Sequence, residues 1–598
     1  MRRVTACALL GLSLAAAETL PRPEHPQPQF QREQWLNLNG SWEFEFDDAN
    51  VGLKENWAAG ERRFSRNIIV PFCFESPASG IGDPSFHPWV WYRRRFNPPE
   101  AWRGKRIWLR FGAVDYRAMV WVNGHYVGGH EGGSAPFGFD ITERLKPGPN
   151  LLTVRVEDPP ADRSIPRGKQ YWEPHSRGIF YSRTSGIWQT VWLEPLQTTH
   201  LERVRITPSS DGTVRFEGFI AAPGPGLEFH ASVRWADKTL TAVMASAEDS
   251  PVTLLAGVQN PRSWSPGSPN LYQVNFELRR GATVLDRVSS YFGFRTVGVE
   301  NGRFVLNGRA LYLKLVLDQG YWPQSNLTPP SDEAIQYDIR MTKEMGFNGV
   351  RKHQKVEDPR YLYWADRMGL LVSGEMPNAY VYHSAYADRF TREWIEVVER
   401  DYNHPSVVIW APINESWGVP NLREPGQQAH LKALYWLTKS LDPTRPVIDN
   451  EGWQHTDLTD LFAVHDYARS GELLLARWNR DFSRPGAALP PTGPGYLIPG
   501  FSYNGTPLYL SEFGGIAYIP QGHEVPKDAW GYSGVEKTAE AALARLRGLY
   551  EAIAKLPFAG ICYTQLTDVE QEINGLLTYD RKPKFDSKAL REINELLR

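Results

Sequence analysis

Cysteine is scarce in this chain: only Cys7, Cys73 and Cys562 occur among 598 residues. Thiols so few and so far apart exclude a disulfide scaffold and a cysteine-ligated zinc site, because both need clustered cysteines. Cys73 and Cys562 are therefore predicted to be free, buried thiols.

An excess of charge of one sign is also missing. The chain has 66 basic and 68 acidic residues, for a formal net charge of −2. A protein that binds nucleic acid or another polyanion normally carries a basic surplus. No nucleic-acid partner is expected.

Long apolar runs are absent beyond the N-terminus. There, Arg2 and Arg3 precede an apolar run over residues 6–14 and three alanines at 15–17, which is the pattern of a signal peptide over residues 1–17. The run is too short to span a membrane. Cys7 precedes this run instead of following it, so lipidation is rejected. We expect no membrane span and an extracytoplasmic protein, periplasmic or secreted.

Aromatic residues, in contrast, are abundant, with 22 Trp and 26 Tyr. Their flat faces stack well on sugars, although strands in all-β domains use many aromatics for packing alone. At this length a single hydrophobic core is insufficient, and two to four domains are expected.

The pattern along the chain predicts three domains after the signal peptide. Residues 18–197 read as short strands with turns, including Asn39-Gly40 and Asn123-Gly124 as hairpin-type turns, and predict a jelly-roll β-sandwich. Residues 198–297 continue with strands and suit an immunoglobulin-like β-sandwich without a cysteine pair. Whether the first sandwich binds sugar or only supports the rest is left open.

Residues 298–598 alternate strands with helices. Eight apolar segments read as strands, and a helix with a capping Ser331 is predicted over residues 331–344. Eight strands that alternate with helices predict a (β/α)8 TIM barrel, whose active site lies at the carboxyl ends of the strands. The predicted strands begin near residues 311, 346, 370, 407, 446, 461, 508 and 560.

Two apolar stretches end in a carboxylate. The sequence VVIWAPINE (407–415) ends in Asn414 and Glu415, and PLYLSEFGG (507–515) contains Glu512 before a pair of glycines. Each reads as a barrel strand that delivers one glutamate to a common pocket. Two carboxylates at one pocket suggest that one acts as an acid/base and the other as a nucleophile in the cleavage of a single bond.

Four motifs along the chain are distinctive: WLNLNGSW (35–42), VWVNG (120–124), TSGIWQTVWLE (184–194) and DYNHPSVVIW (401–410), the last followed by Asn414 and Glu415. They resemble motifs of glycoside hydrolase family 2, the group of β-galactosidases, β-glucuronidases and β-mannosidases. The resemblance covers nearly the whole chain after the signal peptide. It implies a retaining glycosidase with Glu415 as general acid/base, Glu512 as nucleophile and Asn414 bound to the sugar 2-hydroxyl. Retention requires carboxyl groups about 5–5.5 Å apart.

Four further residues are candidates around these carboxylates. Arg351 and His353, at the end of the second strand, could orient the nucleophile by hydrogen bonding, or the arginine could serve as a structural ion-pair partner. His465 and Tyr467, at the end of the sixth strand, are predicted to face the pocket, with a buried structural histidine as the alternative.

A second set of residues is predicted to line the sugar subsite, although any one of its aromatics could belong to the core instead. The set consists of Asp318, Trp417, Trp453 and Tyr563.

The substrate is ambiguous from the sequence. Family β-glucuronidases carry Asn-x-Lys before an Arg-Asp-Arg-x-Pro-Lys segment, and that lysine neutralises the substrate carboxylate. Here the register set by residues 580–584 places Glu572 and Asn574 at those positions. This favours a neutral glycoside, β-galactoside first, with an exo-acting enzyme. The alternatives are α-L-arabinofuranosides, α-L-arabinopyranosides, β-galactofuranosides and β-glucuronides.

No cofactor is expected, and the magnesium or sodium requirement of the large β-galactosidases does not carry over, because this chain ends directly after the barrel. The first strand also departs from the family: KLVLDQ (314–319) lacks the Asn-Arg-His of galactosidases. A carbohydrate is the expected partner, and the oligomeric state, including a homo-oligomer, is left open. A non-catalytic carbohydrate-binding protein and a cell-surface adhesion protein are the alternatives to an enzyme.

Overall fold

The computed structural model describes residues 20–597, and the predicted signal peptide with Cys7 lies outside this part of the chain. The first domain is a sandwich of a six-stranded sheet, in the order β3-β2-β4-β10-β7-β8, and a four-stranded sheet, in the order β1-β12-β5-β9. A short pair, β6 and β11, joins them. Its strands are β1 (Leu36–Asn37), β2 (Gly40–Phe46), β3 (Arg66–Val70), β4 (Trp89–Phe96), β5 (Arg106–Phe111), β6 (Val114–Asp115), β7 (Arg117–Val122), β8 (His125–Glu131), β9 (Phe137–Asp140), β10 (Asn150–Glu157), β11 (Gly186–Ile187) and β12 (Val191–Leu196).

The two Asn-Gly pairs of this domain behave differently. Asn123 and Gly124 both have positive φ and join β7 to β8 in a two-residue hairpin, as predicted. The prediction of a hairpin at Asn39 is wrong. Asn39 carries the chain from one sheet to the other, and its side chain is fully buried, donating to Pro21 O (3.1 Å) and accepting from Val191 N (3.1 Å).

The second domain is an immunoglobulin-like sandwich of seven main strands. A three-stranded sheet, β13-β14-β17, packs on a four-stranded sheet, β16-β15-β20-β21, around an apolar core. Its strands are β13 (His200–Pro208), β14 (Thr213–Ala221), β15 (Leu227–Trp235), β16 (Lys238–Ser246), β17 (Val252–Gly257), β18 (Trp264–Ser265), β19 (Ser268–Pro269), β20 (Tyr272–Arg280) and β21 (Thr283–Phe292).

The third domain is a parallel β/α barrel. Seven strands form one sheet in the order β28-β27-β26-β25-β35-β32-β31. The strands are β22 (Val297–Glu300), β23 (Arg303–Leu306), β24 (Arg309–Ala310), β25 (Leu313–Asp318), β26 (Gly349–Lys352), β27 (Leu371–Glu375), β28 (Val407–Ala411), β29 (Ile413–Asn414), β30 (Asn450–Glu451), β31 (Phe462–Asp466), β32 (Leu508–Gly514), β33 (Ala517–Tyr518), β34 (Val535–Glu536) and β35 (Phe558–Thr564). The helices are α1 (Asp332–Glu344), α2 (Pro359–Met368), α3 (Ser384–Asp401), α4 (Pro425–Leu441), α5 (Gly471–Trp478), α6 (Ala539–Ile553) and α7 (Ser587–Asn594).

The eighth strand position, predicted at residues 446–448, is only partly regular. Val447 forms an isolated parallel bridge with Trp410 of β28, and β30 then pairs with β29. The N–H of Val447 donates to the Asp460 side chain (2.7 Å) instead of to a neighbouring strand, which interrupts the ladder at this point. The predicted fold of two sandwiches and a (β/α)8 barrel is otherwise confirmed.

Local sequence explains where the helices begin and end. Helix α1 starts at Ser331, whose side chain accepts from Ala334 N, as the predicted cap requires. Helix α2 starts with Asp358 as its cap and Pro359 in its first turn, and it ends at Gly369 in the left-handed conformation.

Strand alternation in the barrel separates two cores. Leu315 and Leu317 point into the barrel, where they join Cys562. Val316 points outward and packs with Tyr563 in the core between strands and helices. The inner core fills the lower part of the barrel, so a hollow can open only at the carboxyl ends of the strands.

Both cysteines of the described part, Cys73 and Cys562, are buried free thiols, as predicted. Among residues 20–597 no helix has the length and apolar character needed to cross a bilayer.

Candidate active site

The two predicted glutamates meet at the carboxyl end of the barrel. Glu415 directly follows β29, and Glu512 lies within β32. One carboxylate oxygen of Glu415 and one of Glu512 lie within 4.8 Å of each other, despite the long stretch of chain between them. This separation matches two carboxyl groups that act on the same anomeric carbon from opposite sides.

The backbone at Glu415 is unusual. Glu415 and the next residue, Ser416, both adopt positive φ (51° and 60°), a conformation that non-glycine residues rarely occupy. The N–H of Glu415 donates to Glu451 O (2.8 Å), which holds this turn against the neighbouring strand. Strained backbone of this kind is concentrated at functional sites.

Glu512 is held in its ionised form. Its Oε1 accepts from Arg351 Nη1 (2.9 Å), and its Oε2 accepts from the Tyr467 hydroxyl (2.6 Å). Burial alone would raise the pKa of Glu512, but the charges of His465 and Arg351 and the tyrosine hydrogen bond hold this pKa well below its ordinary value. The carboxylate is therefore available as a nucleophile at neutral pH.

Arg351, fully buried at the end of β26, connects the polar side chains of the site. Besides Glu512 it donates to Asn414 Oδ1 (2.8 Å) and to Glu375 Oε1, and its Nε lies 3.8 Å from Glu451 Oε1. Glu375 and Glu451 were not predicted from the sequence. Glu375 is the last residue of β27, close to a strand end as Glu415 and Glu512 are, so the same signal was available for it.

Asn414 presents an unused donor. Its Oδ1 is occupied by Arg351 and its N–H by Asn378 Oδ1 (2.7 Å), whereas its Nδ2 is buried without a hydrogen-bond partner among the described residues. An unsatisfied buried donor is costly unless a ligand uses it. The geometry thus leaves Nδ2 free for a sugar hydroxyl.

His465 and Tyr467 both face the hollow, as predicted. His465 Nδ1 lies 2.9 Å from Glu415 Oε1, and its Nε2 lies 3.5 Å from Glu512 Oε1, so the imidazole stands between the two carboxylates. The Tyr467 ring stacks on Tyr532, with centroids 3.6 Å apart. Tyr532, missed in the sequence, lies in an irregular loop without a motif.

His353 lies behind the nucleophile instead of in the hollow. Its Nδ1 is 3.0 Å from Glu375 Oε2 and 3.2 Å from Arg351 Nη2. Burial, with the positive charges of Lys169 and Arg351, places the pKa of His353 well below its ordinary value, so the imidazole is neutral. This position suits the predicted orienting role through Arg351 and Glu375.

The remaining predicted subsite residues divide into two groups. Trp417 and Trp453 are half-buried at the rim, where Trp453 contacts the His465 ring at a centroid distance of 5.4 Å. Asp318 is fully paired elsewhere, with Oδ2 on Lys352 Nζ (2.6 Å). Tyr563 needs correction, because strand alternation turns it outward into the core between strands and helices.

Glu415, His465 and Glu512 also form the one group in the described chain whose ligand atoms lie close enough for a metal ion. The guanidinium of Arg351 lies 2.9 Å from Glu512, and its charge would repel a cation there. The donor set therefore fits acid/base and nucleophilic chemistry better than metal binding.

A loop of the first sandwich closes one side of the hollow. The Tyr181 hydroxyl donates to Glu572 Oε2 (2.6 Å), and Asn574 Nδ2 donates to Glu572 Oε1 (3.1 Å). At the rim, the Phe180 ring packs near Trp417, at a centroid distance of 6.3 Å. The positions at which β-glucuronidases carry Asn and Lys are thus occupied by a buried, hydrogen-bonded acid and an amide.

Comparison with known proteins agrees with this geometry. Three family models match the chain: "Glycosyl hydrolases family 2, sugar binding domain" over residues 36–193, "Glycosyl hydrolases family 2" over 199–295 and "Glycosyl hydrolases family 2, TIM barrel domain" over 297–485. A β-glucuronidase of Felis catus is 28% identical over 542 residues, which cover 79% of each chain. A β-galactosidase of Psychromonas ingrahamii is 28% identical over 508 residues, covering 75% of this chain but 45% of the relative.

A solved β-glucuronidase of Ruminococcus gnavus has the same fold, with a TM-score of 0.76, 20% identity and coverage of 96% of this chain and 99% of the other. Three matching models in the family's own order, together with the paired glutamates at the barrel mouth, lead to one conclusion. The chain belongs to glycoside hydrolase family 2 and is a glycoside hydrolase.

Proposed function

We propose that the protein is a retaining, exo-acting glycosidase that works by double displacement. Glu512 attacks the anomeric carbon while Glu415 protonates the departing glycosidic oxygen, so that a C–O bond to the enzyme forms as the bond to the leaving group breaks. Glu415 then removes a proton from water, which displaces Glu512 and releases the sugar with its original configuration. The closeness of the two carboxylates, within 4.8 Å, carries this proposal.

The ionised state that this mechanism needs at Glu512 is supported by the residues around it. Arg351 and Tyr467 stabilise the ionised form of Glu512. Asn414 Nδ2 stands ready for the hydroxyl next to the anomeric carbon, a contact that strengthens as positive charge develops on the sugar. His465 lies between the two glutamates, with Nδ1 2.9 Å from Glu415 Oε1 and Nε2 3.5 Å from Glu512 Oε1.

For the substrate we propose a neutral β-glycoside, with a β-galactoside first. The support is the chemistry of residues 572 and 574: Glu572 is an acid beside which a uronate carboxylate would be repelled, and Asn574 carries no charge. A β-glucuronide is the second candidate, because two of the three compared proteins are β-glucuronidases. The signal-like N-terminus supports action outside the cytoplasm.

The test is hydrolysis of a panel of nitrophenyl glycosides by the purified chain, with the released anomer identified by NMR. We expect one neutral β-glycoside to be hydrolysed fastest, with the β-anomer released first. Glu512→Gln should lower kcat by more than about 1,000-fold. Glu551→Gln, a change of an exposed helix residue, is the matched control and should keep full activity.

A second measurement separates the roles of the two glutamates. Glu415→Ala should keep activity only on substrates whose leaving group needs no proton, and added azide should restore turnover with a glycosyl azide as product. Release of the inverted anomer would refute the nucleophile assignment. Binding of sugars without hydrolysis of any glycoside would identify a carbohydrate-binding protein instead.

A further inference from the structure

The wall that the first sandwich contributes to the hollow is firmly attached to the barrel. It is formed by residues 169–182, and hydrogen bonds fix it to two barrel loops, one that follows β35 and one between β33 and β34. These bonds run from Gln571 Nε2 to Phe180 O (2.9 Å), from Ser182 N to Glu570 Oε1 (3.0 Å) and from Trp530 Nε1 to Gly178 O (3.1 Å). The position of the wall is therefore fixed relative to the barrel loops.

Lys169 is the notable residue of this wall. Its side chain belongs to a residue only 6% exposed, yet its Nζ has no hydrogen-bond or ion-pair partner within residues 20–597. The Phe180 ring is the nearest aromatic face, with Nζ 5.9 Å from its centroid. Nζ is not among the polar atoms that are fully buried without a partner, so the ammonium reaches the space beside the wall and is available to a ligand there.

Unsatisfied amide groups line a small cavity beside Lys169, between the sandwich and the barrel. Lys169 shares it with His353, Gln319 and Gln354. The Gln319 Oε1 and both amide atoms of Gln354 are buried without hydrogen-bond partners among the described residues. With a volume of about 20 Å³ the cavity holds a water molecule and not a sugar, so these groups form polar surroundings next to Lys169.

Lys169 is also linked to Glu572, through Tyr181. The backbone N–H of Tyr181 donates to Lys169 O (2.8 Å), and the Tyr181 hydroxyl reaches Glu572 Oε2 (2.6 Å). Burial raises the pKa of Glu572, and the charge of Lys169 opposes that rise. Lys169 and Glu572 thus interact electrostatically without forming a contact ion pair.

We propose that Lys169 and Glu572 form a donor and acceptor pair that recognises hydroxyl groups of a neutral sugar at the cleaved end of the substrate. Lys169 Nζ donates to a sugar hydroxyl oxygen, and Glu572 accepts a hydrogen bond from a sugar hydroxyl. This inference rests on the proposed glycosidase function and specifies how that site selects its sugar. The specificity-determining cation is thus supplied by the sandwich domain and not by the barrel.

Charge balance favours a neutral sugar over a uronate at this pair. One ammonium already faces one carboxyl group, and a substrate carboxylate would place two acids beside a single cation. Hydroxyl groups add no charge, and they use both a donor and an acceptor. The rival interpretation, in which Lys169 binds a substrate carboxylate, predicts the opposite preference and is tested together with the proposal.

The experiment compares wild type, Lys169→Met and Glu572→Gln on four substrates. These substrates fall into three kinds: the neutral nitrophenyl glycoside that the wild type hydrolyses fastest, its two deoxy analogues (4-deoxy and 6-deoxy), and the corresponding uronoside. Lys169→Met should lower kcat/KM for the neutral glycoside about 10- to 100-fold, the effect expected for a hydrogen bond from a charged group. Lys146→Met, at an exposed lysine of the same domain, is the matched control and should leave all rates unchanged.

Combining the variant with the deoxy substrates identifies the contact. If Lys169 donates to one hydroxyl, the analogue lacking that hydroxyl is a poor substrate for wild type but loses little further in Lys169→Met, because the contact is already absent. Glu572→Gln, which keeps the shape of the side chain, should raise the ratio of uronoside to neutral hydrolysis at least about tenfold. Thermal unfolding of each variant verifies that it is folded.

The possible failures are distinguishable. Absence of hydrolysis of every glycoside by the wild type would refute the proposed function itself. A wild type that hydrolyses uronosides fastest and loses this activity in Lys169→Met would overturn the neutral-sugar pair in favour of a carboxylate-binding lysine. An active wild type with kinetics unchanged by both Lys169→Met and Glu572→Gln would show that neither residue contacts the substrate.

Discussion

A buried carboxyl group at the junction of sandwich and barrel should make the stability of the protein depend on pH. Glu393, in α3, is 1% exposed; its Oε1 accepts from Ser134 N (2.7 Å), and its Oε2 has no partner among the described residues. Burial raises the pKa of Glu393 from its ordinary 4.5 to about 8. The carboxyl group is therefore protonated in the folded protein at neutral pH.

The sign and size of the effect follow from linkage. Between pH 4.5 and about 8 the unfolded chain has lost this proton while the folded protein keeps it, so the free energy of unfolding falls as pH rises through this window. At about 1.4 kcal/mol for each tenfold change in proton affinity, the total loss is at most about 5 kcal/mol. Below pH 4.5 both states are protonated, and the contribution is constant.

Glu393→Gln removes the titrating group but keeps an oxygen that can accept from Ser134. Differential scanning calorimetry from pH 4.5 to 9 should show similar unfolding temperatures for both proteins at the acid end and a higher one for the variant at the alkaline end. Glu551→Gln, exposed on α6, should shift the curve little at any pH. A constant difference between wild type and Glu393→Gln across this range would refute the reasoning.

Two further predictions concern the site. Tyr467→Phe removes the 2.6 Å hydrogen bond to Glu512 and should lower kcat/KM about 10- to 100-fold in steady-state kinetics, because hydrogen bonds to charged groups contribute about 1.5–3 kcal/mol; unchanged turnover would contradict a role in holding the nucleophile. Asn414→Ala should slow a normal glycoside more than its 2-deoxy analogue, and equal losses on both would show that the Asn414 amide does not contact the 2-hydroxyl.

The sequence alone predicted the parts of the molecule that depend on local patterns. Alternating apolar residues located most strands, and Ser331 marked the start of α1. Glu415 and Glu512 could be found because each terminates an apolar strand, and parallel strands of a barrel bring their carboxyl ends together. The hairpin at Asn39 failed because the same Asn-Gly pair can serve either a tight turn or a crossing between sheets, and buried partners at Pro21 and Val191 decide between them.

Contacts between domains could not be predicted in the same way. Lys169 lies in a loop of the first sandwich, and nothing in its neighbouring residues shows that this loop packs beside His353 and Glu572. Tyr181 was likewise hidden, since its partner Glu572 is 391 positions away. Such placements depend on how two folded surfaces dock, which neither periodicity nor turn residues encode.

The arrangement around Arg351 distinguishes Glu512, the proposed nucleophile, from the neighbouring glutamates. A single guanidinium faces Glu375, Glu451 and Glu512, and it cannot neutralise three buried carboxylates. Burial raises the pKa of Glu375 and of Glu451, the latter with both side-chain oxygens unpartnered among the described residues.

Glu512 differs from its neighbours because it also receives the Tyr467 hydroxyl and lies 3.5 Å from His465. The Tyr467 hydrogen bond and the nearby His465 imidazole lower the pKa of Glu512, whereas burial raises the pKa of Glu375 and Glu451, so Glu512 carries the negative charge among these three acids. Arg351 therefore does more than orient Glu512. Because it shares its charge among three acids, the Tyr467 hydroxyl and the His465 imidazole determine which of them stays ionised.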